Sequence, residues 1–331
     1  MSQLAGIRVV VLADRLVDLG AKMLSELGAE VVVSEAGDGL SPARTAAWRA
    51  ELRHADKPLA ELLSEADILL DDRRRTTQRP EVEALAGSNP ALVHVVATGF
   101  PLGDPRPVTD LTLMAESGLM HVTGTPDAPP LRLPGEQAYA LTGIQVATAA
   151  LMGLAARRRI GRGQRIVVSA LQAAACANYR EAVMFDWTGR IGRRQGNMLV
   201  RGTSGVRQVW PCADGYVTWS MIDNPGMMRA VVAQMEAEGV AGELSDIEWE
   251  DILVAETEQA TIDRWQAIVA AFFARHTRAE LGQWSLTQGW GLSTIMTLPE
   301  VRESAHLKAR GFFRNGLPGP LFQTHPPEVA S

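Results

Sequence analysis

The chain has 331 residues, 46% of them hydrophobic and 21% charged, with a formal net charge of -6. That length exceeds one ordinary core and predicts two domains, or one domain carrying a large insertion. The composition is that of a soluble globular protein and excludes disorder, and the acidic balance argues against general nucleic-acid binding, leaving small anions as the expected partners.

The amino-terminal MSQLAGIRVVVLADRL lacks the basic-then-apolar layout of a secretory signal. Within it RVVVLAD (8–14) has the continuous β-branched character of a strand buried on both faces, and helical apolar spacing follows over 15–27. EVVVSE (30–35) predicts the second strand. After a Gly/Ser/Pro break at 37–43 come a helical stretch, the strand ADILLDD (66–72), a helix near 80–86 and the strand LVHVVAT (92–98). Helices are expected at about 110–120 and 138–158, then a strand at 165–169 and a helix from Ala170 to about Trp187. Alternation of this kind implies βαβ crossovers and a mainly parallel, Rossmann-like sheet. The apolar run Ala138 to Ala156 ends in three arginines, which suits a buried helix with a cationic carboxyl end better than a membrane span.

Residues 188–207 are rich in Gly and Arg without a steady period and predict a linker, with Gly202 to Gly205 as a candidate flexible loop. QVWPCADGYVTWS (208–220) predicts two short strands around an Asp-Gly turn, and helices follow to about 285. The expected domains are therefore 1–187, completed by the tail 311–331, and a small α+β domain at 208–310. The Pro/Gly-rich tail has too little period to fold alone and is expected to lie across another domain.

Several chemistries are discarded on spacing. The first strand-to-helix turn, ADRLVDLG, has no glycine-rich phosphate fingerprint, so a nicotinamide dehydrogenase is not supported. The six histidines never fall at i, i+4, and no metal site is predicted. GTSG (202–205) is not a nucleophile elbow. Cys176 and Cys212 form no disulfide framework and are expected to be buried thiols in a reducing cytoplasm. Arg73, Arg74 and Arg75 follow a predicted strand at the sheet edge where open α/β folds bind ligands, and are either a solvated run or phosphate contacts. Asp110 opens the helix of PVTDLTLMAESGLM (107–120), where Asp is a favoured N-cap. A carboxylate held ionised there by backbone N–H groups is also the form a nucleophile requires.

The ordered set LAGIRVVVL, ELGAEVVVSE (26–35), ADILLDDRR (66–74), NPALVHVVATGF (89–100), TDLTLMAESGLMHVTG (109–124), GRGQRIVVSALQAA (161–174), ADGYV (213–217), LPEVRESAHLKARGFF (298–313) and PGPLF (318–322) resembles the class III CoA transferases, also called the CaiB/BaiF or formyl-CoA transferase family. The resemblance implies a Rossmann-like large domain with a small α+β domain, and an interlocked homodimer with the active site between the large domain of one subunit and the small domain of the other. It implies coenzyme A, as acyl-CoA, and a carboxylic acid as substrates, with no metal. Asp110, with Ser117-Gly118-Leu119 at the matching distance, is then the nucleophile that forms an acyl anhydride and an aspartyl-CoA thioester. Arg73, Arg74 and Arg44 are the candidates for CoA phosphates, and Trp210, Trp219 and Met221 either shape the acyl pocket or fill a core.

α-Methylacyl-CoA racemases share the resemblance. They place a proton-transferring His and Asp where this chain has Thr109 and Tyr139, and neither residue suits that chemistry near neutral pH. On the transferase side, the usual Ala-Gly-Pro of the first helix is Leu16-Val17-Asp18, the usual Asn-Phe-Arg is Asp72-Arg73-Arg74, and 36–60 is short. These departures carry a second expectation, a catalytically weak CaiB-like subunit that works with a second, similar chain as a heteromer.

Overall fold

The computed structural model describes residues 2–36, 48–49, 52–76, 79–314 and 317–322. The chain divides into two compact units, Met1–Thr123 with Pro130–Gly192 and Arg302–Ser331, and Gly124–Pro129 with Arg193–Val301.

The first unit is built on a six-stranded sheet of β1 (Arg8–Ala13), β2 (Glu30–Ala36), β3 (Arg53–His54), β4 (Ile68–Asp72), β5 (Val93–Thr98) and β6 (Arg165–Ser169). The spatial order is β3-β2-β1-β4-β5-β6 and every pairing is parallel, so the mainly parallel sheet expected from the sequence is present. Helices α1 (Asp18–Glu26), α2 (Leu59–Glu65) and α3 (Pro80–Gly87) connect its first strands. The β-branched runs arise because the central strands are covered on both sides. Val9, Val11, Ile68, Leu70, Val93 and Val95 join one apolar cluster, while Val10, Leu12 and Leu69 join Leu63 of α2 and Val82 of α3 in another.

After β5 come α4 (Asp110–Glu116), α5 (Leu119–Val122), α6 (Gln137–Ile160), α7 (Ala170–Cys176) and α8 (Tyr179–Thr188). The single helix expected over 110–120 is broken at Gly118, whose φ of 81° is left-handed and glycine-favouring. Helix α6 lies against α1 at a glycine-to-glycine contact. A Cβ on Gly143 would stand 2.7 Å from Leu19 Cβ and 3.1 Å from the Gly20 nitrogen, so only glycine permits this approach. Ten of its residues are buried. Cys176, expected to be buried, is exposed at the last turn of α7, whose buried positions are Ala170, Ala173 and Ala174, and Cys212 is half-buried.

The second unit has a core of Trp210, Trp219, Met221, Val231, Phe272, Phe273 and Trp290. The turn ADG joins β9 (Val209–Cys212) and β10 (Gly215–Thr218) in an antiparallel pair, as its spacing predicts. Residues 198–207, within the stretch expected as a linker, form the hairpin β7 (Met198–Arg201) and β8 (Ser204–Arg207). The sequence lacked alternation there because Gly202 and Gly205 interrupt it. In the tail, the Leu321 N–H donates to Glu26 Oε2 of α1 at 2.6 Å, so the segment is tied to the first unit.

Candidate active site

The loop leaving β5 folds back on itself before α4 begins. A Cβ on Gly99 would lie 2.0 Å from Val108 Cγ2, so the absence of a side chain at 99 lets the far end of the loop close over its start. The next residue, Thr109, is the N-cap of α4. Its Oγ1 accepts the Thr112 N–H at 3.1 Å, and the Thr109 N–H donates to Thr112 Oγ1 at 3.0 Å, a reciprocal capping box. Asp110, expected as that cap, is instead the first helical residue, and its carboxylate is free for another task.

That task is to close a second helix. Asp110 Oδ1 accepts the N–H groups of Ala138 at 2.9 Å and Tyr139 at 3.3 Å, in the first turn of α6, where Glu136 at the N-cap position supplies no capping bond of its own. Asp110 is only 6% exposed, and its Oδ2 is buried with no hydrogen-bond partner. Burial raises its pKa, the two α6 N–H groups pull it down, and the net displacement is upward. The oxygen with spare capacity is thus the oxygen sealed away.

Tyr139 lies beside it. Its hydroxyl donates to the Val108 carbonyl at 3.4 Å, and the Arg15 guanidinium stands 5.9 Å from its ring centroid. Burial raises the phenol pKa while Arg74 and Arg15 pull it down, again with a net rise, so Tyr139 is held protonated. Thr109 is exposed and engaged in its cap. Neither supplies a proton-transfer base.

The arginines after β4 separate into different environments. Arg73, a sequence candidate for phosphate, turns inward; its side chain is 2% exposed and binds Asp71 at 2.7 Å and Glu83 at 2.6 Å. His94 Nε2 adds a 3.1 Å contact to the same Asp71. Such a buried, doubly paired guanidinium is a structural cross-link of β4 and α3, and a phosphate would have to break it. Arg74 is more open: it reaches Asp14 through bonds of 2.7 and 2.9 Å and the Val108 carbonyl at 3.4 Å, and its Nε is buried without a partner. Arg75 Nε stands 3.1 Å from the same Asp14. Arg44 lies outside the described residues. A cavity of about 380 Å³ is lined by Arg73 to Thr76 and by the loop from Thr98 to Thr109, including Arg106. Arg106 stacks 3.8 Å from the Phe100 centroid and pairs with Asp104 and Glu116.

Behind this cavity, strands β1 and β4 diverge into their helices on the two sides of the sheet, the point where open α/β folds take ligands. Here charged side chains fill it. Asp72 accepts the Leu16 N–H at 2.6 Å and the Arg74 N–H at 2.8 Å, stitching the two loops together. Asp18 pairs with Arg49 at 2.9 Å, both buried. Burial, only partly offset by Arg49, raises the Asp18 pKa to about 6, and burial with the Asp14 charge raises that of Asp72 to about 7.

Sequence reasoning missed Asp14 and Arg49. Asp14 had a signal, as the acidic residue at the end of the first strand, opposite arginines ending the fourth. Arg49 had none, because it follows an aperiodic break. Trp210, Trp219 and Met221 are core residues of the second unit, with the Trp210 indole N–H on the Trp219 carbonyl at 2.6 Å and the Trp219 indole N–H on the Trp290 carbonyl at 3.1 Å. Among the described residues no group of three His, Cys, Asp or Glu could hold a metal ion.

Comparison with known proteins bears on these elements together. The family model described as CoA-transferase family III matches residues 51–325. The chain is 31% identical over 268 residues to the succinyl-CoA:(R)-benzylsuccinate CoA-transferase subunit BbsE of Thauera aromatica, spanning 70% of this chain and 64% of that protein. It is 26% identical over 265 residues to the succinate–glutarate CoA-transferase of Agrobacterium fabrum, spanning 68% and 64%. The matched stretch is thus less than two thirds of these relatives' length. The crystal structure of a CAIB/BAIF family protein from Brucella suis superposes with a TM-score of 0.82, covering 99% of this chain and 93% of that one at 22% identity, which establishes the shared fold. The six-stranded parallel sheet, the fold match and the family match over most of the sequence lead to one assignment: the chain belongs to CoA-transferase family III, the CaiB/BaiF class.

Proposed function

We propose that this chain serves the transfer of CoA from an acyl-CoA thioester to a carboxylic acid, and that it does so as one subunit beside a second, similar chain. The observation that carries the subunit reading is the state of Asp110. One carboxylate oxygen is fixed on the amino end of α6 and the other is buried, so an acyl carbonyl has no open approach to either. Family membership supports the chemistry, and a relative bearing the word subunit in its name supports the assembly. The exposed apolar side chains of α8, Tyr179, Val183, Phe185 and Trp187, form a surface of the kind a partner covers. The assembly proposed is the interlocked CaiB/BaiF-type dimer, with a second copy of this chain as the alternative occupant.

A second reading is that the chain is active alone with Asp110 as nucleophile, and the missing partner on Oδ2 favours it, because that lone pair is uncommitted. The carboxylate then attacks the acyl carbonyl, expelling CoA thiolate and leaving an acyl–aspartyl anhydride. The thiolate attacks the aspartyl carbonyl, releasing the first acid and forming the aspartyl-CoA thioester. The acceptor carboxylate attacks that thioester, expelling thiolate, and the thiolate attacks the acceptor's carbonyl in the new anhydride, giving acceptor-CoA and restoring Asp110. Arg74 and Arg106, at the adjoining cavity, are the cations proposed for the CoA phosphates.

Hydroxylamine separates the two readings. The isolated chain is incubated with a panel of acyl-CoA thioesters and hydroxylamine, and Asp110 is inspected by peptide mass spectrometry. No hydroxamate, with transfer appearing only when a second CaiB-like chain is added and surviving Asp110→Asn, is the expected result. A hydroxamate at Asp110 in the isolated chain overturns the subunit reading and establishes the nucleophile.

A further inference from the structure

Two cations that line the cavity beside α4 are already engaged by one acid from behind its wall. Arg74 and Arg75, which line it, both bind the carboxylate of Asp14, through bonds of 2.7 and 2.9 Å from Arg74 and a 3.1 Å contact from Arg75. Asp14 is itself buried, 8% exposed, and comes from β1's carboxyl end, across the divergence of β1 and β4. Both oxygens of the carboxylate are held by one guanidinium nitrogen, Arg74 Nη2, and one of them is touched by a second guanidinium, so two arginines converge on one oxyanion as they would on an anionic ligand. Nothing in the backbone demands an acid at this place, since the β1–α1 and β4–α3 loops are already joined by Asp72 through the Leu16 and Arg74 N–H groups. The Arg74 Nε, buried and unpartnered, is a further donor that Asp14 leaves unused.

We propose that Asp14 is a built-in competitor that occupies the oxyanion site of Arg74 and Arg75, and so sets how tightly this cavity takes an anionic ligand, phosphate or carboxylate. An incoming oxyanion has to displace the Asp14 carboxylate from both guanidinium groups, and Asp14, left buried and unpaired, resists that exchange. Asp14 thereby weakens capture of simple anions and reserves the site for a ligand with binding contacts elsewhere. This is a specificity role, and it holds whether or not the chain carries out CoA transfer.

The test uses the full chain and two probes, inorganic pyrophosphate and succinate, followed by calorimetry and thermal shift. Asp14→Asn keeps the side-chain shape and removes the competing charge. The expected result is a gain in affinity of ~tenfold or more for at least one probe, the scale of one competing charge pair. The gain is lost in the double variant Asp14→Asn/Arg74→Gln. A gain for pyrophosphate alone assigns the site to phosphate, and a gain for succinate alone assigns it to carboxylate. Equal affinities of wild type and a folded Asp14→Asn overturn the proposal, as does a gain that persists without Arg74. Circular dichroism checks the fold, and Asp14→Ser carries the same comparison if Asn is not accepted. Because the probes are not CoA thioesters, a failure of transfer chemistry leaves this outcome untouched.

Discussion

Asp110 and Ala138 are joined across two helices. The carboxylate at the first residue of α4 accepts the Ala138 N–H at 2.9 Å and so caps α6, while α4 itself is capped by Thr109. One side chain therefore fixes the amino end of the longest helix to the loop that lines the cavity. Whatever chemistry the carboxylate performs, it performs under that constraint.

Removing this link has a defined cost. Asp110→Ala leaves two buried N–H groups of α6 without an acceptor, and the expected loss is about 2–4 kcal/mol from the missing cap and the unsatisfied donors. Asp110→Asn retains a carbonyl oxygen facing α6 and is expected to lose about 1 kcal/mol. Urea unfolding of the two variants checks the difference. Equal losses would show that Oδ1 does not hold the helix.

The pH dependence follows from the buried acids. Asp18 and Asp72 have folded pKa values of about 6 and about 7, above the ordinary 3.8, so the folded chain binds more protons than the unfolded chain between those limits. Stability therefore falls as pH rises through that window, with each group contributing at most about 1.4 kcal/mol per pH step. Below it the sign reverses, because Asp71, held low by His94 and Arg73 against its burial, and Glu300, at about 2, lose their stabilisation as they are protonated. Chemical denaturation from about pH 4.5 to 7.5 measures the slope. A flat profile would remove the two buried acids as its source.

Asp18 and Arg49 form a pair that neither member leaves cheaply. Arg49→Met strands Asp18 in a dry position, and a loss of about 3–5 kcal/mol is expected, reduced at low pH where Asp18 takes up a proton. The double variant Asp18→Leu/Arg49→Met is expected near the wild-type stability, since an apolar pair of similar size can replace a buried ion pair. A double-mutant cycle by thermal unfolding reads the coupling. Additive losses would mean that the 2.9 Å contact contributes nothing.

Glycines give a sharper contrast. Gly143→Ala places a Cβ 2.7 Å from Leu19 and forces α1 and α6 apart, with an expected loss of about 1–3 kcal/mol. Gly87→Ala, at the end of α3 with open space around it, is expected to gain about 0.5–1 kcal/mol. Melting temperatures moving in opposite directions would confirm the contact, and equal shifts would refute it.

The sequence by itself determined the sheet's longer strands. Strands buried on both faces need largely apolar runs, and 9–13, 68–70 and 93–97 carry them, so the boundaries of these strands were legible to within a residue or two. Ordered motifs did the same for the family. Local chemistry marked the turn at Asp214-Gly215 and the cationic end of the long helix at Arg157 to Arg159, whereas glycines that erase alternation hid the hairpin at 198–207 and a length of two residues hid the edge strand β3. Site roles were legible only as residue types. Asp110 was marked as a helix-start carboxylate, but tertiary structure decided that the helix it caps is α6. Arg73 and Arg74 are neighbours of one type, yet one is buried on Asp71 and Glu83 and the other reaches Asp14. The reason is physical: helix and strand formation depend on a few neighbouring residues, whereas a charge's role depends on its desolvation and on partners such as Asp14, 60 residues from Arg74, which only the folded chain brings within reach.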